Sequence, residues 1–151
     1  MFLEALGMTG KNVVYRFYDQ VLPHYYVQKQ TGISCADLIS GLPFNIGCIA
    51  KYVWRHEGKD KRKDLEKAIQ YTIMEIKDRE DKKYRPVIDV DSTFYFKMID
   101  SIGEYEPKTY KLDIYRYLTI YLFCLKKDCI ENLYKILEIL KEKVEEEYPS
   151  E

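Results

Sequence analysis

Apolar residues in this chain recur at steps of three and four. Leu65, Ile69, Thr72 and Ile76 follow that rhythm, as do Ile130, Leu133, Leu137, Leu140 and Val144. A helix turning every 3.6 residues gathers such positions on one face, whereas a strand gathers every second residue. No stretch sustains strand alternation, so the pattern predicts an all-α fold. Breakers and caps divide it. A helix is expected over about Lys11–Val21, with Val14, Phe17, Tyr18 and Val21 on one face and Pro23 at its end. A short helix should follow from a Ser34 cap through Ser40, stopped by Gly41. Pro43 suits the first turn of a helix running to about His56, with Ile46, Ile49 and Val53 on its apolar side. The turn Glu57–Asp60 leads to a longer helix over about Asp60–Arg79. Further helices are expected from an Asp91 or Ser92 cap through Ile102, over Lys108–Lys126, and from an Asp128 cap to Glu147. The Lys108–Lys126 helix is apolar on nearly all sides, which predicts burial or an interface. The expected architecture is a compact bundle of about five to six helices built from helical hairpins.

A chain of 151 residues suits one helical domain with its own core. Within it, residues 23–81 read as a helical-hairpin core and residues 87–151 as a C-terminal helical extension. The charged break Lys82–Pro86 lies between them. Phe44–Tyr71 and Tyr110–Leu137 share a pattern of aromatic-rich helix, charged turn and second helix, so the extension reads as a degenerate repeat of the core. The repeat lacks the basic residues of the first copy. The seam Ile130–Val144 fits either hairpin packing or an oligomer contact.

Net charge is −1, which supplies no global field toward extended nucleic acid or an anionic membrane. Residues Met1–Gly10 hold one acidic and no basic residue, unlike a secretory signal. The longest uncharged apolar stretch, Tyr117–Leu125, has nine residues, against the roughly 20 of a membrane span. The expectation is a cytoplasmic protein without a membrane partner. Cys35, Cys48, Cys124 and Cys129 form no C-x-x-C pair and read as buried thiols. No P-loop is present: G-M-T-G-K-N at Gly7–Asn12 has two residues between glycines where that motif needs four.

The most informative stretch is F-N-I-G-C-I-A-K-Y-V-W-R-H-E-G-K, Phe44–Lys59. Helical spacing puts Gly47, Lys51, Trp54, Arg55 and Gly58 on one stripe, away from the Ile46/Ile49/Val53 side. The stripe joins an ammonium, a guanidinium and an indole, with glycine leaving room beside them. Phosphate calls for charge-assisted donors, and arginine can grip it with two parallel bonds. A base calls for a flat apolar surface such as Trp54, Tyr52 or Tyr71. The same residues also fit a solvated basic face with Trp54 half-buried. Asp64, Lys67 and Tyr71 share a face of the next helix. Asp64 there either pairs with Arg55 or Lys51 across the hairpin or binds Mg2+. Lys59 belongs to a basic run that reads as a solubilising turn or a further phosphate contact. His24, beside Tyr25, is a candidate for proton transfer or phosphate contact.

P-H-Y at Pro23–Tyr25, I-S-C-A-D-L-I at Ile33–Ile39, G-C-I-A-K-Y-V-W-R at Gly47–Arg55 and K-D-L-E-K-A-I-Q-Y at Lys63–Tyr71 together resemble the SaV-like phage family, over about residues 23–71. The matching positions are His24, Tyr25, Gly47, Lys51, Tyr52, Trp54, Arg55, Asp64, Leu65, Lys67, Ala68 and Tyr71. Cys48 stands where that family usually carries asparagine. The family includes a nucleotide kinase that lacks a P-loop, phosphorylates deoxynucleoside monophosphates and forms homo-oligomers. The resemblance therefore implies a nucleotide site, with Lys51 and Arg55 on phosphate and Asp64 on magnesium or orienting the cations. Two other functions stay open on the residues. One is a non-catalytic binder, or sponge, of a nucleotide or nucleotide-derived defence signal. The other is a helical adaptor for a protein partner.

Overall fold

The computed structural model describes residues 26–81, 91–123 and 127–150. The expected helix Lys11–Val21, the break Lys82–Pro86 and the candidates His24 and Tyr25 lie outside the described residues. Among the described residues there are six α-helices and no strand, beyond one isolated bridge between Val27 and Ser34. The all-α expectation holds.

The helices are α1 (Cys35–Ile39), α2 (Phe44–Arg55), α3 (Arg62–Glu80), α4 (Ser92–Gly103), α5 (Thr109–Phe123) and α6 (Glu131–Glu147), the last preceded by a 3-10 turn, Lys127–Ile130. Local chemistry sets their ends. Ser34 and Asp37 form a capping box: Asp37 N–H donates to Ser34 Oγ at 3.0 Å, and Ser34 N–H to Asp37 Oδ2 at 2.8 Å. Gly41, at φ +80°, takes the left-handed conformation after α1. Pro43 is the N-cap of α2 rather than a residue of its first turn. The Asp91 side chain caps α4 by accepting Phe94 N–H at 2.9 Å. The expected Asp128 cap of the last helix is corrected: Ile130 holds that position, because the 3-10 turn carries the chain directly into α6.

Helix α2 lies along α3, α3 lies along α6, α5 packs on α6 and α4, and α1 closes on α2. The chain thus contains two helical hairpins, α2–α3 and α5–α6. Ile46, Ile49 and Val53 of α2, Leu65 and Ala68 of α3, Ile114 of α5, and Leu133, Ile136 and Leu140 of α6 form the centre of the core. The seam on α6 is spent on this internal packing, with Leu133, Leu140 and Val144 buried. Helix α5 also turns most of its surface inward, including Tyr110, Tyr115 and Tyr121. Many of the tyrosines thus serve as core with a hydrogen-bonding tip. No helix among the described residues is long and apolar enough to cross a membrane. Cys35 is a buried free thiol and Cys48 a half-buried one, but Cys129 is disulfide-bonded, which corrects the reading of all four cysteines as thiols.

Candidate functional site

The candidate site lies on the α2–α3 hairpin. At about 100° per residue, Phe44, Cys48, Lys51, Tyr52 and Arg55 fall within roughly one 100° arc of α2. Asp64, Lys67 and Tyr71 come from the antiparallel face of α3.

Arg55 and Asp64 form the fixed end. Arg55 Nε donates to Asp64 Oδ2 at 3.2 Å and Nη2 to Oδ1 at 3.1 Å. Arg55 Nη1 donates to the Tyr26 hydroxyl at 2.8 Å. Backbone Asp60 N–H donates to Asp64 Oδ2 at 3.1 Å, and the half-exposed Asp60 carboxylate comes within 3.8 Å of Arg55. Asp64 is fully buried and Arg55 nearly so. Burial opposes the arginine charge, but the bonds from Asp64 and Tyr26 outweigh it and raise its pKa. Two-pronged pairing is the strong form of a salt bridge. It engages both Asp64 oxygens. Of the two alternatives for Asp64, the structure shows the pairing with Arg55 across the hairpin. Among the described residues, no group of three or more histidine, cysteine or acidic residues is placed to hold a metal.

Tyr52 is the centre. Its ring has the Arg55 guanidinium at 4.8 Å, the Lys67 ammonium at 5.3 Å and the Lys51 ammonium at 5.4 Å from its centroid. Such cation–ring contacts are each worth about 0.5–1 kcal/mol at accessible sites. Among the described residues, neither Lys51 nor Lys67 pairs with a carboxylate. Tyr52 stacks on Tyr71, with centroids 5.9 Å apart and planes within 17°. Phe44 meets the Tyr71 ring edge-on at 5.8 Å.

The structure therefore brings together Lys51, Tyr52, Arg55, Asp64, Lys67 and Tyr71. It places three other candidates apart. Trp54 turns toward α5, its ring 6.4 Å from that of Tyr115, so its stacking role beside the cations is corrected. Gly47 is buried against α1, where a Cβ would meet Ile39 and Leu42 at 3.9 and 4.0 Å, so it leaves no room beside a ligand. Lys59 is exposed in the turn between the helices. Sequence reasoning missed Tyr26, Phe44 and Cys48 as site residues. The i, i+4, i+7, i+8, i+11 spacing from Phe44 was the available signal for the last two.

A second polar cluster lies just past the end of α2 and serves the fold. His56 is fully buried, with Nδ1 2.7 Å from the Tyr148 hydroxyl and Nε2 2.9 Å from the Tyr110 hydroxyl. Burial, aided by the Lys111 charge, lowers its pKa to about 4 against the opposing pull of Glu57 and Glu147. Lys111 bonds Glu57 at 2.9 Å and the Trp54 carbonyl at 3.1 Å. Arg62 donates to the Tyr148 carbonyl and to Glu145, each at 2.6 Å. A third cluster buries Glu75, which accepts from the Tyr121 hydroxyl and, at 3.2 Å, from the Asn45 amide. Burial raises the pKa of Glu75 despite those bonds.

No family model, curated protein or solved structure matches this chain.

Proposed function

We propose that this chain binds a nucleotide through a phosphate seat formed by Lys51, Lys67 and Arg55, and that it carries out nucleoside monophosphate kinase-like phosphoryl transfer. One observation carries the reading. Two ammonium groups without a carboxylate partner among the described residues converge, with a guanidinium, on one tyrosine ring. Asp64 and the nearby Asp60 carboxylate offset two of the three charges, leaving an excess of one. Like charges held together repel, and a phosphate dianion offsets that repulsion. The likeness of K-Y-V-W-R and D-L-E-K-A-I-Q-Y to the SaV-like motifs supports the nucleotide and the transfer. The same likeness supports a phage-encoded protein at work in the host cytoplasm and assembled as a homo-oligomer.

In the transfer, an oxygen of the acceptor phosphate attacks the γ-phosphorus of a donor nucleoside triphosphate. The new O–P bond forms as the β–γ bridge breaks, and a nucleoside diphosphate leaves. Chemistry of this kind depends on positioning and charge neutralisation, which Lys51, Lys67 and Arg55 would supply. Asp64 orients the guanidinium. A second reading, binding without turnover as a sponge for a nucleotide-derived defence signal, is favoured by the commitment of both Asp64 oxygens to Arg55.

The test is titration calorimetry with a panel of nucleoside monophosphates, followed by chromatography of each nucleotide after incubation with a triphosphate donor and magnesium. Diphosphate products that vanish in the Lys51→Ala/Lys67→Ala double variant support the kinase. Binding with every nucleotide recovered intact supports the sponge. A wild-type protein that binds no nucleotide ends both.

A further inference from the structure

We infer that Phe44 is the base-stacking end of the site, so that a nucleoside phosphate lies along the α2–α3 hairpin with its base on Phe44 and its phosphate on Lys51 and Lys67. This rests on the phosphate seat proposed above and adds its polarity and ligand class. Phe44 is 72% exposed, the most exposed large apolar side chain among the described residues. It sits within the arc that holds Cys48, Lys51, Tyr52 and Arg55, near its Lys51 edge. Its ring is tied to the cation centre by two contacts, edge-on to Tyr71 and then through the Tyr71–Tyr52 stack.

Geometry sets the separation. Phe44 and Lys51 lie seven residues apart, about 10 Å along the axis. Side chains on a helix lean toward its N-terminus, Phe44 and Lys51 alike, so the span between them stays near that length. The hairpin surface is therefore aromatic at one end and cationic at the other, over the length of an extended nucleoside phosphate. The aromatic end offers an exposed ring, a surface of the kind that stacks any base. Phe94 is also exposed, at 61%, but it borders an apolar groove between α1 and α4 rather than a group of cations.

The experiment measures binding of a nucleoside monophosphate and of ribose 5-phosphate to wild type, Phe44→Ala and Lys51→Ala by titration calorimetry. Circular dichroism melting of each variant checks the fold, and Phe44, being exposed, is replaceable without a core defect. The expected result is that Phe44→Ala weakens the monophosphate about tenfold or more and leaves ribose 5-phosphate unchanged. Lys51→Ala should weaken both. Equal weakening of both ligands in Phe44→Ala, or none of either, overturns the inference while leaving the phosphate seat standing. A change in oligomeric state on Phe44→Ala, with monophosphate affinity intact, overturns it in favour of a protein contact. Failure of wild type to bind either ligand removes the seat itself, and the inference with it.

Discussion

Arg55 and Asp64 meet through two parallel hydrogen bonds of 3.1 and 3.2 Å, with Asp64 sealed from solvent and Arg55 8% exposed. Removing Arg55 leaves Asp64 buried without its cation, and removing Asp64 leaves the buried guanidinium only the more distant, half-exposed Asp60. Arg55→Ala or Asp64→Ala should each cost about 3–5 kcal/mol of stability. The pair replaced together by apolar residues should recover much of that loss. Urea denaturation of the two single variants and the double variant measures the coupling. Loss of activity in Arg55→Ala alone would report unfolding as much as chemistry.

Lys51 and Lys67 are the sharper probes of the phosphate seat. Each gains a contact with Tyr52 and each suffers repulsion from its neighbours. Lys51→Ala and Lys67→Ala should therefore change stability by less than about 1 kcal/mol. Nucleotide affinity should nevertheless fall about tenfold or more in each, the worth of one charge-assisted bond. Affinity of the wild type should also fall as salt rises, because the cations are partly accessible. Titrations at low and high salt, paired with thermal melts, check both statements.

His56 predicts a pH dependence whose sign is fixed. Its pKa is lowered from 6.5 to about 4 by burial, with Lys111 and Lys108 facing it as cations and Glu57 and Glu147 as anions. Below pH 6.5 the unfolded chain takes up a proton that the folded protein refuses. Stability is thus fully present above that pH and is lost as pH falls from 6.5 toward 4, by on the order of 3 kcal/mol. Other carboxylates titrate nearby, so the informative quantity is the difference between wild type and His56→Gln. Denaturation midpoints from pH 7 to pH 4.5 should fall more steeply in the wild type. Parallel curves would contradict this account of His56.

Gly47 lies inside α2, and a methyl there meets Ile39 and Leu42 at ordinary contact distances. Glycine inside a helix costs about 0.5–1 kcal/mol relative to alanine. Gly47→Ala should raise stability by up to about 1 kcal/mol and leave nucleotide binding as it was. A thermal melt and one titration decide it. A loss of affinity would show that the glycine faces the ligand after all.

The helical framework was legible because its signals are local. The Ser34 and Asp91 caps, the Gly41 stop and the apolar rhythm of α3 and α6 each depend on a few neighbouring residues. The Arg55–Asp64 pair was legible as one of two alternatives for Asp64, since helical spacing puts both on facing sides of a hairpin. Trp54 and Gly47 were misplaced for a shared reason. Spacing places them at the rim of the Lys51 and Arg55 face but does not say which third element covers that rim. Helix α5 covers Trp54 and helix α1 covers Gly47. His56 was not legible, because it follows the last helical residue of α2 and falls outside any periodic pattern. Its burial arises from Tyr110 and Tyr148, 54 and 92 residues away in sequence.

The hold of Arg62 and His56 on Tyr148 bears on how the protein is handled. The final turn of α6 is latched to the start of α3, so shortening the chain before Tyr148 would strip a partner from a fully buried imidazole. Affinity handles or fluorophores placed near that end would strain the latch. Labels for single-molecule or binding work belong on exposed sites away from it, such as Lys77 or Lys97.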